Sequence, residues 1–126
     1  MTRTYIAVVD DERAIRTMLG RVLLLDGYDA ACFESTDTFL ASLASRVPAC
    51  VILDVHMPGL SGLEAHVRAR EMGFDIPTIF ITASEDRAFD DAVREAHGVA
   101  LLRKPFPSKT LLSAVSTALR RKPQRS

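Results

Sequence analysis

The sequence predicts a doubly wound α/β domain, a parallel sheet with helices on both faces. Three observations predict it. Short β-rich apolar runs alternate with stretches of helical periodicity, five times along 126 residues. The connections are short, as helical crossovers between parallel strands require. The runs at 49–53 and 78–81 are almost wholly apolar, the mark of central strands covered on both faces. A chain of this length forms one domain with a substantial core.

The first run is Tyr5-Ile6-Ala7-Val8-Val9, and Asp10-Asp11 ends it. Ile15, Met18, Leu19, Val22 and Leu23 then recur at helical spacing until Asp26-Gly27. The second run spans 29–33, and Ser35-Thr36-Asp37 caps a helix carrying Phe39, Leu40 and Leu43. The third run, 49–53, ends in Asp54. Pro58-Gly59 supplies a tight turn, with Gly59 free to take positive φ. Gly62 opens the third helix, with Leu63 and Val67 expected inward, and Met72-Gly73 ends it. The fourth run, 78–82, ends in Thr82. A fourth helix is expected from Glu85-Asp86 to His97-Gly98, with Phe89, Ala92, Val93 and Ala96 on one face. The fifth run, 99–102, leads to Lys104-Pro105, and a fifth helix after Pro107-Ser108 turns Leu111, Leu112, Val115 and Leu119 inward. The domain is expected to span 1–121, with 122–126 a tail or the start of a linker.

Composition narrows the function classes. Sixteen basic and sixteen acidic residues give a formal net charge of zero, so the domain itself has no reason to bind nucleic acid or a membrane surface. No apolar run is long enough to span a bilayer, and no signal peptide is visible after Met1. Cys32 and Cys50 match no metal spacing and read as two buried thiols of a cytoplasmic protein.

The chemistry lies where the strands end. In a parallel sheet all carboxyl ends share one edge, so Asp10, Asp11, Asp54, Thr82 and Lys104 should meet there. Taken singly, Asp10-Asp11 reads as a turn and helix cap, Asp54 as a turn residue, and Lys104 as a solvated lysine. Taken together they are harder to dismiss. Clustered carboxylates repel one another unless a cation joins them, and Mg²⁺ suits hard oxygen donors. An ammonium and a hydroxyl beside them suit a phosphoryl group.

Four segments carry a family resemblance: Val9-Asp10-Asp11-Glu12, Leu53-Asp54-Val55-His56-Met57-Pro58-Gly59-Leu60-Ser61-Gly62, Ile81-Thr82-Ala83 and Lys104-Pro105-Phe106. In this order and spacing the chain resembles the receiver domain of two-component response regulators over about residues 4 to 120. The resemblance implies a flavodoxin-like fold with strand order 2-1-3-4-5 and five helices. It implies that Asp54 accepts a phosphoryl group from a phosphohistidine donor, on a sensor histidine kinase or a histidine phosphotransfer protein. Asp10, Asp11, Asp54 and the backbone carbonyl of His56 then serve Mg²⁺ or Mn²⁺, with Asp10 acting mostly through water. Lys104 pairs with phosphoryl oxygens, and Thr82 moves toward them to start a switch. The Lys104-Pro105 bond resembles one that is cis in the family.

One position departs from the pattern. The family carries Tyr or Phe three residues before the lysine, where this chain has Leu101. That aromatic normally relays the Thr82-type movement to the face made by the fourth helix, fifth strand and fifth helix, where an output protein or effector domain binds. With Leu101, movement of the loop after Thr82 is expected to dominate the signal. His56 is either an exposed loop residue or a group that orients water at the phosphoryl group. His66 and His97 read as ordinary helix residues, His66 solvated or half-buried.

Three function classes follow. The leading one is a phosphorylation-operated signalling switch that catalyses only its own phosphorylation and dephosphorylation. An aspartate-based phosphatase is disfavoured, because His56 stands where such enzymes carry a second aspartate. A phosphorylation-independent scaffold is favoured only by Leu101. The domain is either stand-alone or the receiver portion of a longer regulator. The segments Cys50–Gly62 and Phe80–Phe106 resemble receivers that precede a helix-turn-helix domain.

Overall fold

A computed structural model describes residues 3–83, 91 and 98–121. Five strands form one parallel sheet: β1 (Tyr5–Val9), β2 (Asp29–Phe33), β3 (Cys50–Asp54), β4 (Thr78–Thr82) and β5 (Ala100–Arg103). Their order is β2-β1-β3-β4-β5, with every neighbouring pair parallel, as the resemblance implied. The register sets Val9 beside Leu53, Leu53 beside Phe80, and Phe80 beside Leu101. The central strands β1, β3 and β4 are buried along their whole length. The edge strands β2 and β5 are only half-buried.

Four helices lie among the described residues: α1 (Arg13–Leu25), α2 (Thr36–Ser42), α3 (Gly62–Glu71) and a C-terminal helix (Ser108–Arg120). Asp91 of the expected fourth helix is helical, and the rest of 85–97 and the tail at 122–126 lie outside the described residues. Two caps follow from hydroxyl chemistry. Ser35 Oγ accepts the Thr38 amide, and Ser61 Oγ accepts the Glu64 amide, each at 3.2 Å. These bonds start two short helices that propensity alone would leave marginal.

Alternation along the strands divides the core. Ile6, Val8, Ile52, Ile79 and Ile81 pack with Leu19 and Leu23 of α1 and with Leu111, Val115 and Ala118 of the C-terminal helix. Tyr5, Ala7, Val9, Leu53 and Phe80 pack on the other face with Phe39, Leu40 and Leu43 of the α2 region and Ala69 of α3.

Three expectations need correction. Cys50 is buried, and burial pushes its thiol up to about 12, so it behaves as a core hydrophobe. Cys32 is exposed instead, because β2 lies at the sheet edge and α1 covers it only in part. Val67 does not face inward but stands 47% exposed. The buried face of α3 consists of Gly62, Ala65, His66 and Ala69, whose 3–4 spacing keeps small residues against the sheet. His66 is accordingly buried, at 5% exposure. Its Nδ1 lies 2.9 Å from Thr78 Oγ1, and its ring meets Phe80 edge to face at 5.5 Å.

Candidate functional site

Four of the five strand ends deliver groups to the carboxyl edge. Asp10 and Asp11 follow β1, Asp54 and Thr82 are the last residues of β3 and β4, and Lys104 follows β5. Carboxylate oxygens of Asp10, Asp11, Glu12 and Asp54 all lie within 4.8 Å of one another. Lys104 Nζ reaches into this cluster. It donates to Asp10 Oδ2 at 2.9 Å, to Asp54 Oδ2 at 3.0 Å and to Glu12 Oε1 at 3.3 Å. Asp10 and Asp54 are buried, whereas Asp11 and Glu12 are exposed at the mouth.

The two buried aspartates are held alike. Asp10 Oδ1 accepts the Glu12 amide at 2.8 Å, and Asp54 Oδ1 accepts the His56 amide at 3.0 Å. Each carboxylate thus has one oxygen on a backbone amide two residues ahead and the other on Lys104. Such charge-assisted bonds are the stronger ones available to a carboxylate, and they fix its orientation.

Electrostatics follow from burial and crowding. Desolvation pushes the Asp54 carboxyl above its ordinary range, with the Asp10 charge adding to the rise. Hydrogen bonds from Lys104 and the His56 amide pull it back in part. Burial alone would lower the Lys104 ammonium, but its hydrogen bonds to Asp10 and Asp54 outweigh that and hold it above the ordinary lysine range.

The loop after Asp54 is shaped by close approach. A Cβ on Gly62 would run into the Asp54 carbonyl, so the first turn of α3 can lie this close only with glycine. Gly59 takes φ +78°, a conformation that favours glycine. Thr36 Oγ1 donates to the Leu60 carbonyl at 3.0 Å, tying the loop to α2. On the other side the Lys104 amide donates to the Thr82 carbonyl at 2.7 Å, and the Lys104-Pro105 bond is cis.

The structure thus brings Asp10, Asp11, Asp54 and Lys104 together and places buried Thr82 on the same edge. His56 is exposed, and its backbone amide donates to Asp54 Oδ1. Leu101 is half-buried and packs on the Phe80 side of the core. The loop after Ala83 and His97 lie outside the described residues. Sequence reasoning missed Glu12, although the unbroken run Asp10-Asp11-Glu12 was its signal. Four carboxylates offer hard oxygen donors only, which fits Mg²⁺ or Mn²⁺ and not a soft metal.

The parallel 2-1-3-4-5 sheet is the flavodoxin-like order, and its carboxyl edge carries a lysine-bridged acidic pocket. The chain belongs to the response regulator receiver domain family, whose model matches residues 6–116. It is 35% identical to the response regulator protein TmoT of Ectopseudomonas mendocina, over 94% of this chain and 54% of that protein. It is 37% identical to the transcriptional regulatory protein TdiR of Thauera aromatica, over 89% of this chain and 49% of that protein. The crystal structure of FixJ-N superposes with a TM-score of 0.88 at 26% identity, covering 97% of this chain and 98% of that one. The chain spans about half the length of these two regulators. Among the described residues no helix is long and apolar enough to cross a membrane.

Proposed function

We propose that Asp54 is the phosphoacceptor of this receiver domain, and that phosphorylation changes which partner surface the domain presents. The observation that carries the reading is Lys104, held 2.9 Å from Asp10 and 3.0 Å from Asp54 at the sheet edge. An Asp54 carboxylate oxygen attacks phosphorus. The P–N bond to the donor histidine breaks, and its electron pair returns to the imidazole. Asp54 is pre-aimed for this by the His56 amide, which leaves little for the site to do beyond positioning and charge neutralisation. Lys104 already stands at Asp54 and meets the incoming phosphoryl oxygens as a permanent cation. Thr82 offers a hydroxyl from the next strand end.

Asp11, Asp54 and the His56 carbonyl would hold Mg²⁺ or Mn²⁺, with Asp10 supporting it through water. The bound ion supplies further neutralisation of phosphoryl charge. The domain catalyses its own phosphorylation and dephosphorylation and turns over no separate substrate. It acts in the cytoplasm, and its donor is a sensor histidine kinase or a histidine phosphotransfer protein. Its output is a partner protein, or an effector domain joined through a linker beginning near Lys122, with the receiver proper at 1–121.

The test is intact-mass analysis after incubation with acetyl phosphate, with and without Mg²⁺, beside Asp54→Asn. A single phosphoryl adduct that needs both Mg²⁺ and Asp54 is the expected result. No adduct from either acetyl phosphate or a purified histidine kinase would return the domain to a phosphorylation-independent scaffold.

A further inference from the structure

Asp10 is held through its backbone as well as its side chain. Its amide donates to the Phe33 carbonyl on β2 at 3.1 Å. Its Oδ1 and Oδ2 accept from the Glu12 amide and from Lys104. Its backbone carbonyl, just past the end of β1, accepts from Arg16 Nη1 at 2.9 Å. Arg16 sits in the first turn of α1, and its own amide donates to the Glu12 carbonyl at 3.1 Å. Three hydrogen bonds therefore close a ring around the acidic turn: Glu12 amide to Asp10 carboxylate, Arg16 amide to Glu12 carbonyl, and Arg16 guanidinium to Asp10 carbonyl.

We infer that Arg16 is a positioning residue of the phosphoryl pocket, whose guanidinium clamps the Asp10 carbonyl and so sets where the Asp10 and Asp11 carboxylates stand against Asp54. The inference rests on the reading of this pocket as the phosphoacceptor site. Arg16 suits the task for two reasons. A guanidinium stays charged at every accessible pH and has donors in a rigid plane, so it holds a carbonyl in a defined direction. Its charge also offsets repulsion within a cluster of four carboxylates. The clamp is anchored, because Leu19 and Leu23 of the same helix are fully buried in the core. Arg16 thereby lends the rigidity of the core to a turn whose other two acids are exposed.

The test uses the whole chain with ¹⁵N label, free of divalent ions, as the parent, Arg16→Met and Arg16→Lys. Amide hydrogen exchange at Asp11 and Glu12 is read first, and Mn²⁺ binding is then read from the paramagnetic resonance of the free ion. In Arg16→Met, exchange at Glu12 is expected to accelerate about tenfold while the β3 amides Val51–Leu53 keep their protection. Mn²⁺ should bind about tenfold more weakly, equivalent to about 1.4 kcal/mol. Arg16→Lys, which keeps a donor and the charge, should recover most of both losses. Glu12 exchange and Mn²⁺ affinity within about twofold of the parent would overturn the inference. So would equal acceleration across all strands, which reports lost stability and not a loosened turn. Should Arg16→Met fail to fold, Arg16→Gln carries the same test on a shorter polar stem. The exchange arm needs neither metal nor phosphoryl donor. It therefore decides Arg16 separately from Asp54 labelling, whose absence in the parent would overturn the proposed function instead.

Discussion

The two faces of the sheet are built differently. The face under α1 and the C-terminal helix is aliphatic almost throughout, with Ile6, Val8, Ile52, Ile79 and Ile81 against leucine, valine and alanine. The face under α2 and α3 is aromatic in part, with Tyr5, Phe39 and Phe80, and it buries polar groups at Thr36, His66 and Thr78. It is also continuous with the site. Val55 and Met57, from the loop after Asp54, belong to its core, Gly62 lies against the Asp54 backbone, and Thr36 bonds to Leu60. The first face works as a packed slab that holds the strands in register. The second is packed as one layer with the loop that follows Asp54.

Four experiments would break or sharpen that contrast. Ile79→Ala removes a fully buried side chain from the aliphatic face and should cost roughly 4 kcal/mol by chemical denaturation. Its folded fraction should still take the phosphoryl label at the parent rate. A labelling defect larger than the loss of folded protein would show that the slab is not separate from the site.

Gly62→Ala acts on the other face. Its methyl must displace the Asp54 backbone, at a cost of about 2–3 kcal/mol. Here labelling should fall well below the folded fraction, because the displaced atoms carry the proposed phosphoacceptor. Labelling at the parent rate in a destabilised protein would refute the link between α3 and Asp54.

Thr36→Val keeps the shape and removes one hydrogen bond to the loop, so about 1 kcal/mol should be lost. The lifetime of the phosphoryl label is the informative reading. A lifetime identical to the parent would mean that this tie does not shape the site.

Asp54→Asn has the smallest expected effect and the opposite sign. A carboxyl whose folded value is raised contributes stability in full below its unfolded value, and loses it as pH rises through the folded value. At neutral pH without divalent ions the parent therefore bears a penalty that asparagine lacks. The variant should be more stable there. The gap should close as pH falls below the ordinary carboxylate range. A variant less stable than the parent at pH 7 would show that the Lys104 bond outweighs burial.

Much of this was legible in the chain. Asp10, Asp54, Thr82 and Lys104 each end or follow an apolar run, and a parallel sheet sends all such ends to one edge. Gly62 was legible as a residue that opens a helix beside the site, and the structure adds that the Asp54 carbonyl excludes any side chain there. Other readings failed for physical reasons. Val67 was expected inward because it is apolar, yet α3 approaches the sheet on Ala65 and Ala69, whose small side chains permit close packing. His66 was expected to be solvated or half-buried because histidine is polar, yet Thr78 supplies the partner that makes its burial affordable.

What the sequence determined by itself is local. Strand and helix follow from periodicity, the cap of the second helix from Ser35, and the site residues from where each apolar run stops. What only the tertiary structure decided is pairwise. Cys32 is exposed because its strand became an edge, Lys104 is shared among three carboxylates from two other strand ends, and Arg16 reaches back to the Asp10 carbonyl. Periodicity is a property of one segment, whereas burial and hydrogen-bond partnership belong to two segments that meet only when the chain has closed.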